Sequence, residues 1–300
     1  MLKVRFTGVR RLVDVARPVP GPGQLLVRSE LVGVHLGLVR ALAAGNAPDP
    51  GAEIVGTVVE VGSGVGAEWI GKRVGGVVFS GAYAEYALAA PALTTEIPAG
   101  VQAADALAVV RGGLVAMGAL RAGRFAAGES IMITGAASGS GHLAVQLARA
   151  LGASRVLAAV GTADKAEFVR DCGADAVLTY SEPWTERVDV ILDGVGGDQV
   201  QRGVEVLAPH GRLVAYSAGR GAVDVNGLLA DLKTVTGFSV GLLARTRPEV
   251  IESYRAELWK LLADGKLRPR HTVLSLDRVD EAVRLIETRG NLGRVMVRTA

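Results

Sequence analysis

The chain has 300 residues, with 33 Lys plus Arg against 30 Asp plus Glu and a single cysteine; 49% of it is hydrophobic and 40 residues are glycine. It is too apolar for a disordered chain and lacks the glycine period of collagen. One thiol excludes both an internal disulfide framework and a cysteine-rich zinc site, and basic residues scattered among acids exclude a nucleic-acid face.

The N-terminus, MLKVRFTGVRRLVDV, has no unbroken apolar stretch behind a basic start, so no secretory signal is read there. The longest uncharged run, Ser130–Ala148, is broken by glycines, serines and His142, so no membrane span is expected and the protein is placed in the cytoplasm. Three hundred residues suggest two domains, and the pattern changes character near residue 125. Before that point, runs such as Gln24–Glu30, Glu53–Val61 and Arg73–Phe79 sit between Gly and Pro punctuation and predict a β-rich domain. After Gly128 the rhythm is strand, helix, strand. Ser130–Thr134, Arg155–Val160, Ala176–Tyr180, Asp189–Asp193 and Arg212–Tyr216 read as strands. Gly141–Leu151, Lys165–Asp171 and Gln199–Leu207 read as helices. Continuously apolar strands alternating with helices predict a parallel sheet covered on both faces. Val235–Val240 reads as a last strand at the sheet edge. The tail predicts a helix over Pro248–Ala263, a strand near Thr272–Leu276, a helix over Val279–Glu287 and a strand over Arg294–Arg298, returning to the first domain.

The first parallel strand runs into Thr134-Gly-Ala-Ala-Ser-Gly-Ser-Gly-His-Leu-Ala144. Gly139-x-Gly141-x-x-Ala144 fits the dinucleotide fingerprint in its required place, between a strand and a helix. Gly139 allows the tight turn, Gly141 lets a pyrophosphate approach the backbone, and Ala144 keeps helix and strand close. Ala137, Ser138, Gly139, Ser140 and Gly141 are therefore candidate cofactor contacts; a merely tight turn is the alternative. The same letters match the short-chain dehydrogenase loop, but that family needs Tyr-x-x-x-Lys. Four residues after Tyr180, Tyr216 and Tyr254 stand Trp184, Arg220 and Leu258.

Other pieces, in order, are Pro20-Gly-Pro-Gly23, Gly33-Val34-His35, Pro50-Gly-Ala-Glu-Ile-Val-Gly56, Val59-Glu-Val-Gly-Ser-Gly-Val65, Gly71-Lys-Arg-Val74, Gly81-Ala-Tyr-Ala-Glu-Tyr86, Leu192-Asp-Gly-Val-Gly-Gly197, Leu207-Ala-Pro-His-Gly-Arg-Leu213 and Gly290-Asn-Leu-Gly-Arg-Val295. Over nearly the whole chain this series resembles the zinc-free quinone oxidoreductase, zeta-crystallin-like, branch of the medium-chain dehydrogenase/reductases. The resemblance implies an α/β protein with a β-rich GroES-like catalytic domain (1–110 and 248–300) and a doubly wound parallel-sheet Rossmann domain (111–247). It also implies hydride transfer to a quinone or an α,β-unsaturated carbonyl in the cleft between the domains. The alternatives are an enoyl-thioester or pathway-specific tailoring reductase, and a cofactor-binding protein without catalysis.

An NAD site places an acid at the end of the second strand. Here that segment is Arg155-Val-Leu-Ala-Ala-Val-Gly-Thr162, with no acid, which points to NADPH. Thr162 and Lys165 can face a 2′-phosphate, and related reductases use a Ser or Thr, a Lys and a Tyr there, which the resemblance assigns to Thr162, Lys165 and Tyr180. Against this, Thr162 can be a helix cap and Lys165 a solvated charge, with Asp164 opposing a phosphate. Strand-end positions add Gly194, Val195, Ser217 and Ala218. Phe238 and Ser239 lie on the edge strand, and Asn291 falls in the segment resembling the family's nicotinamide-side loop; turn geometry, for the glycine, and packing, for Phe238, are the plainer readings.

No metal is expected: Cys172 is alone, and His35, His142, His210 and His271 are far apart without ligand spacing. His35 stands where the resembled branch has Asn, and is the candidate donor to a substrate oxygen or to the cofactor. A half-buried histidine satisfied by backbone is the alternative. Leu38 stands where relatives often carry Asp, and Ala44–Gly51 is short and lacks their Tyr, so the pocket is expected to be more apolar; Tyr83 and Tyr86 are reserve candidates. The apolar edge strand Val235–Val240 predicts a homodimer that buries it.

Overall fold

The computed structural model describes residues 1–7, 10–217 and 219–299, which fall into two compact units, residues 1–111 with 270–299 and residues 112–269. Ala218 lies outside the described residues.

In the second unit six strands form one parallel sheet, in the order Ala176–Thr179, Arg155–Val160, Ser130–Thr134, Val188–Asp193, Leu207–Ala215, Thr234–Gly237. Ile131, Met132 and Ile133 all have 0% exposure although successive side chains point to opposite faces, so both faces are covered, as the unbroken apolar strands predict. The chain starts at a central strand, moves outward twice, then returns to the other side at Val188–Asp193. That reversal opens a crevice beyond the carboxyl ends of Ser130–Thr134 and Val188–Asp193, where doubly wound sheets hold ligands.

The first unit is built on a seven-stranded sheet. Its main path runs His271–Ser275, Arg294–Arg298, Leu25–Val34, Pro50–Val61, Arg73–Ser80, Thr94–Glu96, with Tyr86–Ala89 also paired to Leu25–Val34. Arg294–Arg298 lies antiparallel to Leu25–Val34, bringing Val295 opposite Val34, so the tail does return to the N-terminal sheet. A core of Leu25, Val32, Ile54, Val74 and Tyr83 is shared with Val279 and Val283 of helix Val279–Glu287.

Two sequence expectations need correction, and one stretch gains an assignment. The return to the first unit begins at Arg270, not at 248, because helix Pro248–Ala263 packs on helix Leu114–Ala122, with Arg121 Nη2 held by Glu257 at 2.8 Å. The edge strand ends at Gly237; Ser239 caps a helix over Val240–Thr246 by accepting from the Leu242 amide at 3.3 Å. The apolar stretch Ala103–Ala122, unassigned from sequence, is helical. It is long and apolar enough to cross a membrane, but 78% of its most apolar window is buried within the protein.

Candidate functional site

The glycine-rich loop fills the predicted place. Strand Ser130–Thr134 ends at Thr134, and helix Gly141–Ala150 begins seven residues on. The turn is so tight that a Cβ on Gly141 would lie 2.1 Å from the Gly135 carbonyl oxygen, so only glycine fits. Gly135 itself has φ +62°, the left-handed region. Within the loop the Gly141 amide donates to Ser138 Oγ at 3.0 Å, and the Ser138 amide to the Gly135 carbonyl at 2.9 Å. His142, fully buried, sets its Nδ1 2.8 Å from the Ser138 carbonyl. Among the described residues the amides of Ala137, Gly139 and Ser140 have no hydrogen-bond partner. They stand just ahead of a helix N-terminus, where a diphosphate finds both donors and partial positive charge. This cradle of small residues and open amides fits the phosphate bridge of a dinucleotide.

The neighbouring strand ends shape the crevice. Asp193, 1% exposed, accepts from Thr134 Oγ1 at 2.7 Å and from the Gly196 amide at 2.9 Å, which fixes the turn containing Gly194 and Val195. The Gly194 amide in turn donates to Thr134 Oγ1 at 3.0 Å. A Cβ on Gly194 would meet the Tyr216 hydroxyl at 2.4 Å, so this glycine answers to packing as well as to the turn. Burial pushes the Tyr216 phenol up and keeps it neutral.

Tyr180 sits at this end of the sheet, but its hydroxyl accepts from the Gly135 amide at 2.8 Å and reaches the Ala159 carbonyl at 3.4 Å. It braces the glycine-rich loop. Thr162 is exposed and extended, and makes no side-chain capping bond, so the cap reading of its hydroxyl fails. Lys165 closes the 3₁₀ turn Ala163–Lys165 and is half-buried. Ser217, half-buried, follows Tyr216, whose amide donates to the Asp193 carbonyl at 3.0 Å. The ring of Phe238 presses on helix Leu114–Ala122; a Cβ on Gly118 would lie 2.1 Å from its Cζ, which favours packing. Asn291 belongs to the first unit, where its Nδ2 donates to the Gly293 carbonyl of its own loop at 3.0 Å.

The first unit holds His35 and a cluster absent from the sequence reading. His35 caps helix Leu36–Ala43: its Nδ1 accepts from the Leu38 amide at 3.2 Å, which leaves the proton of the neutral ring on Nε2. Burial first, then the charges of Arg111 and Arg294, push its pKa down to about 2. The ring is therefore a neutral donor at physiological pH. Glu53, with 0% of its side chain exposed, pairs with Arg294 and accepts from Arg111 Nη1 at 3.3 Å. Arg294 Nη1 donates to the Val34 carbonyl at 3.1 Å, and Tyr83 Oη to the Gly33 carbonyl at 2.8 Å. A Cβ on Gly33 would strike Glu53 Oε1 at 2.2 Å, which is why glycine stands in that strand. Arg111 and Arg294 each sit within an otherwise apolar segment; a lone charge among buried neighbours was the available signal.

Among the described residues no three His, Cys, Asp or Glu side chains come together, and Cys172 ends helix Ala166–Asp171.

A family model described as zinc-binding dehydrogenase matches residues 139–260. A mycobacterial quinone oxidoreductase of known structure is 29% identical, covers 99% of each chain and superposes with a TM-score of 0.86. Escherichia coli quinone oxidoreductase, solved in complex with NADPH, is 25% identical, covers 99% of this chain and 100% of its own, and superposes with a TM-score of 0.89. A mycocerosic acid synthase-like polyketide synthase of Mycolicibacterium smegmatis is 29% identical over 309 residues. That match takes in 95% of this chain but 14% of the synthase, so the chain spans about a seventh of that relative's length.

Proposed function

We propose, from the premise that the chain belongs to the quinone oxidoreductase branch of the medium-chain dehydrogenase/reductase superfamily, that it is an NADPH-dependent, zinc-independent reductase of quinones or α,β-unsaturated carbonyls. The observation that carries this is the loop 135–141, whose open amides precede a helix start that admits only glycine. NADPH would supply the hydride. The chain's own contribution is to grip the diphosphate with the Ala137, Gly139 and Ser140 amides and to meet the 2′-phosphate with Thr162 and Lys165. No acid at the end of strand Arg155–Val160 repels that phosphate. Gly194, Val195 and Ser217 line the same strand ends, and Asn291 is proposed to contact the nicotinamide side. A conjugated acceptor needs no Lewis acid, because its own oxygen takes the charge; the protein need only orient it and offer donors. His35 Nε2–H is such a donor.

A second reading, reduction of an enoyl thioester, is favoured by the match to a segment of a polyketide synthase. Anaerobic NADPH consumption with a panel of quinones, enones and enoyl thioesters separates the two. Turnover confined to thioesters would replace the first reading, and no turnover with any acceptor, despite tight NADPH binding, would leave a cofactor-binding protein without catalysis. Lys165→Ala is expected to weaken NADPH by roughly tenfold, as loss of a charged hydrogen bond should, while leaving NADH unchanged; equal weakening of both would refute the phosphate role.

The protein is also proposed to be a homodimer in solution. Thr234–Gly237 is a sheet edge, and Leu229, Leu232 and Leu242 near it are exposed, at 77%, 64% and 53%. An uncovered apolar edge invites pairing. Light scattering that gives a monomer would refute this.

A further inference from the structure

Arg111 stands on a turn where helix Ala103–Ala122 widens to π geometry, over Ala108–Gly113. Such bulges recur at functional sites. Its guanidinium makes one ion pair, Nη1 to Glu53 Oε2; among the described residues Nε and Nη2 have no partner, and 36% of the side chain is exposed. Glu53 is meanwhile shared with Arg294, so one carboxylate faces two guanidiniums. His35 and Tyr83 are neutral, so the five side chains carry one surplus positive charge. An uncompensated charge in a largely buried cluster is costly to keep. Arg294 is sealed inside, 9% exposed, and its Nη1 is taken by the Val34 carbonyl. The surplus is therefore presented by Arg111, whose charge acts on the neutral, half-buried ring of His35.

We propose that Arg111 is a catalytic residue that binds the substrate's conjugated carbonyl oxygen and stabilises the oxyanion formed there, with His35 as its neutral partner donor. The inference rests on the reductase reading above and makes the guanidinium the electrophile of a reaction run without metal. In the step concerned, the acceptor's β-carbon forms a new C–H bond with hydride from NADPH, which is oxidised to NADP⁺. The electron pair of the C=C bond shifts toward the carbonyl carbon, and the C=O pair moves onto oxygen. The enolate so formed takes its proton from water at the α-carbon. A planar fork with spare N–H groups suits that oxygen geometrically, and its fixed charge needs no rearrangement as the negative charge grows. Glu53 and Arg294 act through Arg111: Glu53 accepts from its Nη1, and Arg294, paired with the same carboxylate, holds Glu53 in place.

The test uses Arg111→Gln, which keeps an N–H toward Glu53 but loses the charge, and Arg111→Lys, which keeps the charge but loses the fork. With 2-cyclohexenone and 1,4-benzoquinone as acceptors, Arg111→Gln should lower kcat for the enone by about 100-fold, the usual loss on removing one oxyanion donor. KM for NADPH should stay put. The loss should be smaller for the quinone, whose product oxyanion is a weaker base and needs less help, and Arg111→Lys should lie between. A merely structural arginine would not sort acceptors by product basicity. Binding gives a readout independent of turnover: 4-nitrophenolate, a planar oxyanion, should shift its visible absorption on binding the wild type and bind Arg111→Gln at least roughly tenfold more weakly. Equal losses on both acceptors with unchanged phenolate binding would overturn the proposal, as would kcat values within twofold of wild type. If Arg111→Gln does not fold, Arg111→Lys decides through the same two readouts. If wild type reduces no quinone, enone or enoyl thioester, the reductase reading fails, while phenolate binding still reports on Arg111 as an anion site.

Discussion

The two units of this chain solve the problem of buried polarity in opposite ways. The sheet of residues 112–269 meets its candidate ligand with backbone: amides of a glycine-rich loop, a helix start, and neutral hydroxyls of Thr134 and Tyr180 that hold turns in place. The sheet of residues 1–111 and 270–299 buries ions, with Glu53 fully enclosed between Arg111 and Arg294. Backbone donors are fixed in place by the turn that makes them and carry no net charge. Ion clusters are strong only when complete, and removing one member exposes the rest.

The largest expected effect therefore lies in the first unit. Arg294→Met should cost about 3–5 kcal/mol, the range seen when one partner of a buried pair is removed, because Arg111 alone reaches Glu53 at only 3.3 Å. Thermal or urea unfolding measures it. Replacing Glu53 by Leu in the same background should recover most of the loss, since a well-packed apolar pair can replace an ionic one. Absence of that recovery would mean that the cluster's cost is cavity formation rather than charge.

The matching change in the second unit is Gly141→Val. The new Cβ would lie 2.1 Å from the Gly135 carbonyl oxygen, so the loop must shift. A displacement of that order in a preorganised site costs about 100-fold. Fluorescence titration should show NADPH affinity falling by at least that much while the first unit's packing is untouched. Affinity within a few-fold of wild type would remove the loop from the binding site.

The contrast also explains what was legible in the sequence. Ser130–Thr134, Gly141 and the helix it opens lie in one continuous stretch, Ser130–Ala150, so a local pattern reports them. The tail strand Arg294–Arg298 was legible as a strand, yet its partnership with Leu25–Val34 across more than 250 residues was not, so neither was the meeting of Glu53 with Arg294. Arg111 was hidden further: no spacing rule marks a π turn, and helix Ala103–Ala122 reads as an apolar run in which one arginine looks incidental. Val235–Val240 misled because β-branched residues favour a strand, whereas the Ser239 cap turns the chain into a helix at Val240. Tyr180 was found, but for its position; that its hydroxyl braces Gly135 emerges only from the fold.

A third, smaller effect separates the units by pH. His35 is held neutral, its pKa pushed down to about 2 by burial and by Arg111 and Arg294, both of which pair with Glu53. The unfolded chain binds a proton at this histidine below an ordinary pKa of about 6.5, while the folded chain does not. The unfolded state thus holds more protons, and stability falls as pH drops below that value, by up to about 1.4 kcal/mol per pH unit. His35→Asn keeps a capping acceptor and should flatten this part of the stability profile measured by urea unfolding. An unchanged acid slope would place the titration elsewhere in the molecule.

The smallest effect tests whether Tyr180 belongs with the second unit's architecture or with its ligand chemistry. Its hydroxyl accepts from the Gly135 amide at 2.8 Å, so Tyr180→Phe strips an acceptor from the backbone that sets the loop. Gly135 is half-buried, so water can partly replace the lost oxygen and the cost should stay near 1 kcal/mol, roughly a fivefold change in affinity. If the hydroxyl acts through the loop, that change falls equally on NADPH and NADH, because both carry the diphosphate, and the melting temperature drops slightly with it. If instead it touches the 2′-phosphate, NADPH alone weakens and stability is unmoved. The geometry favours the first outcome: a hydroxyl that accepts from the Gly135 amide and gives its proton to the Ala159 carbonyl has no further proton for a phosphate oxygen, which requires a donor.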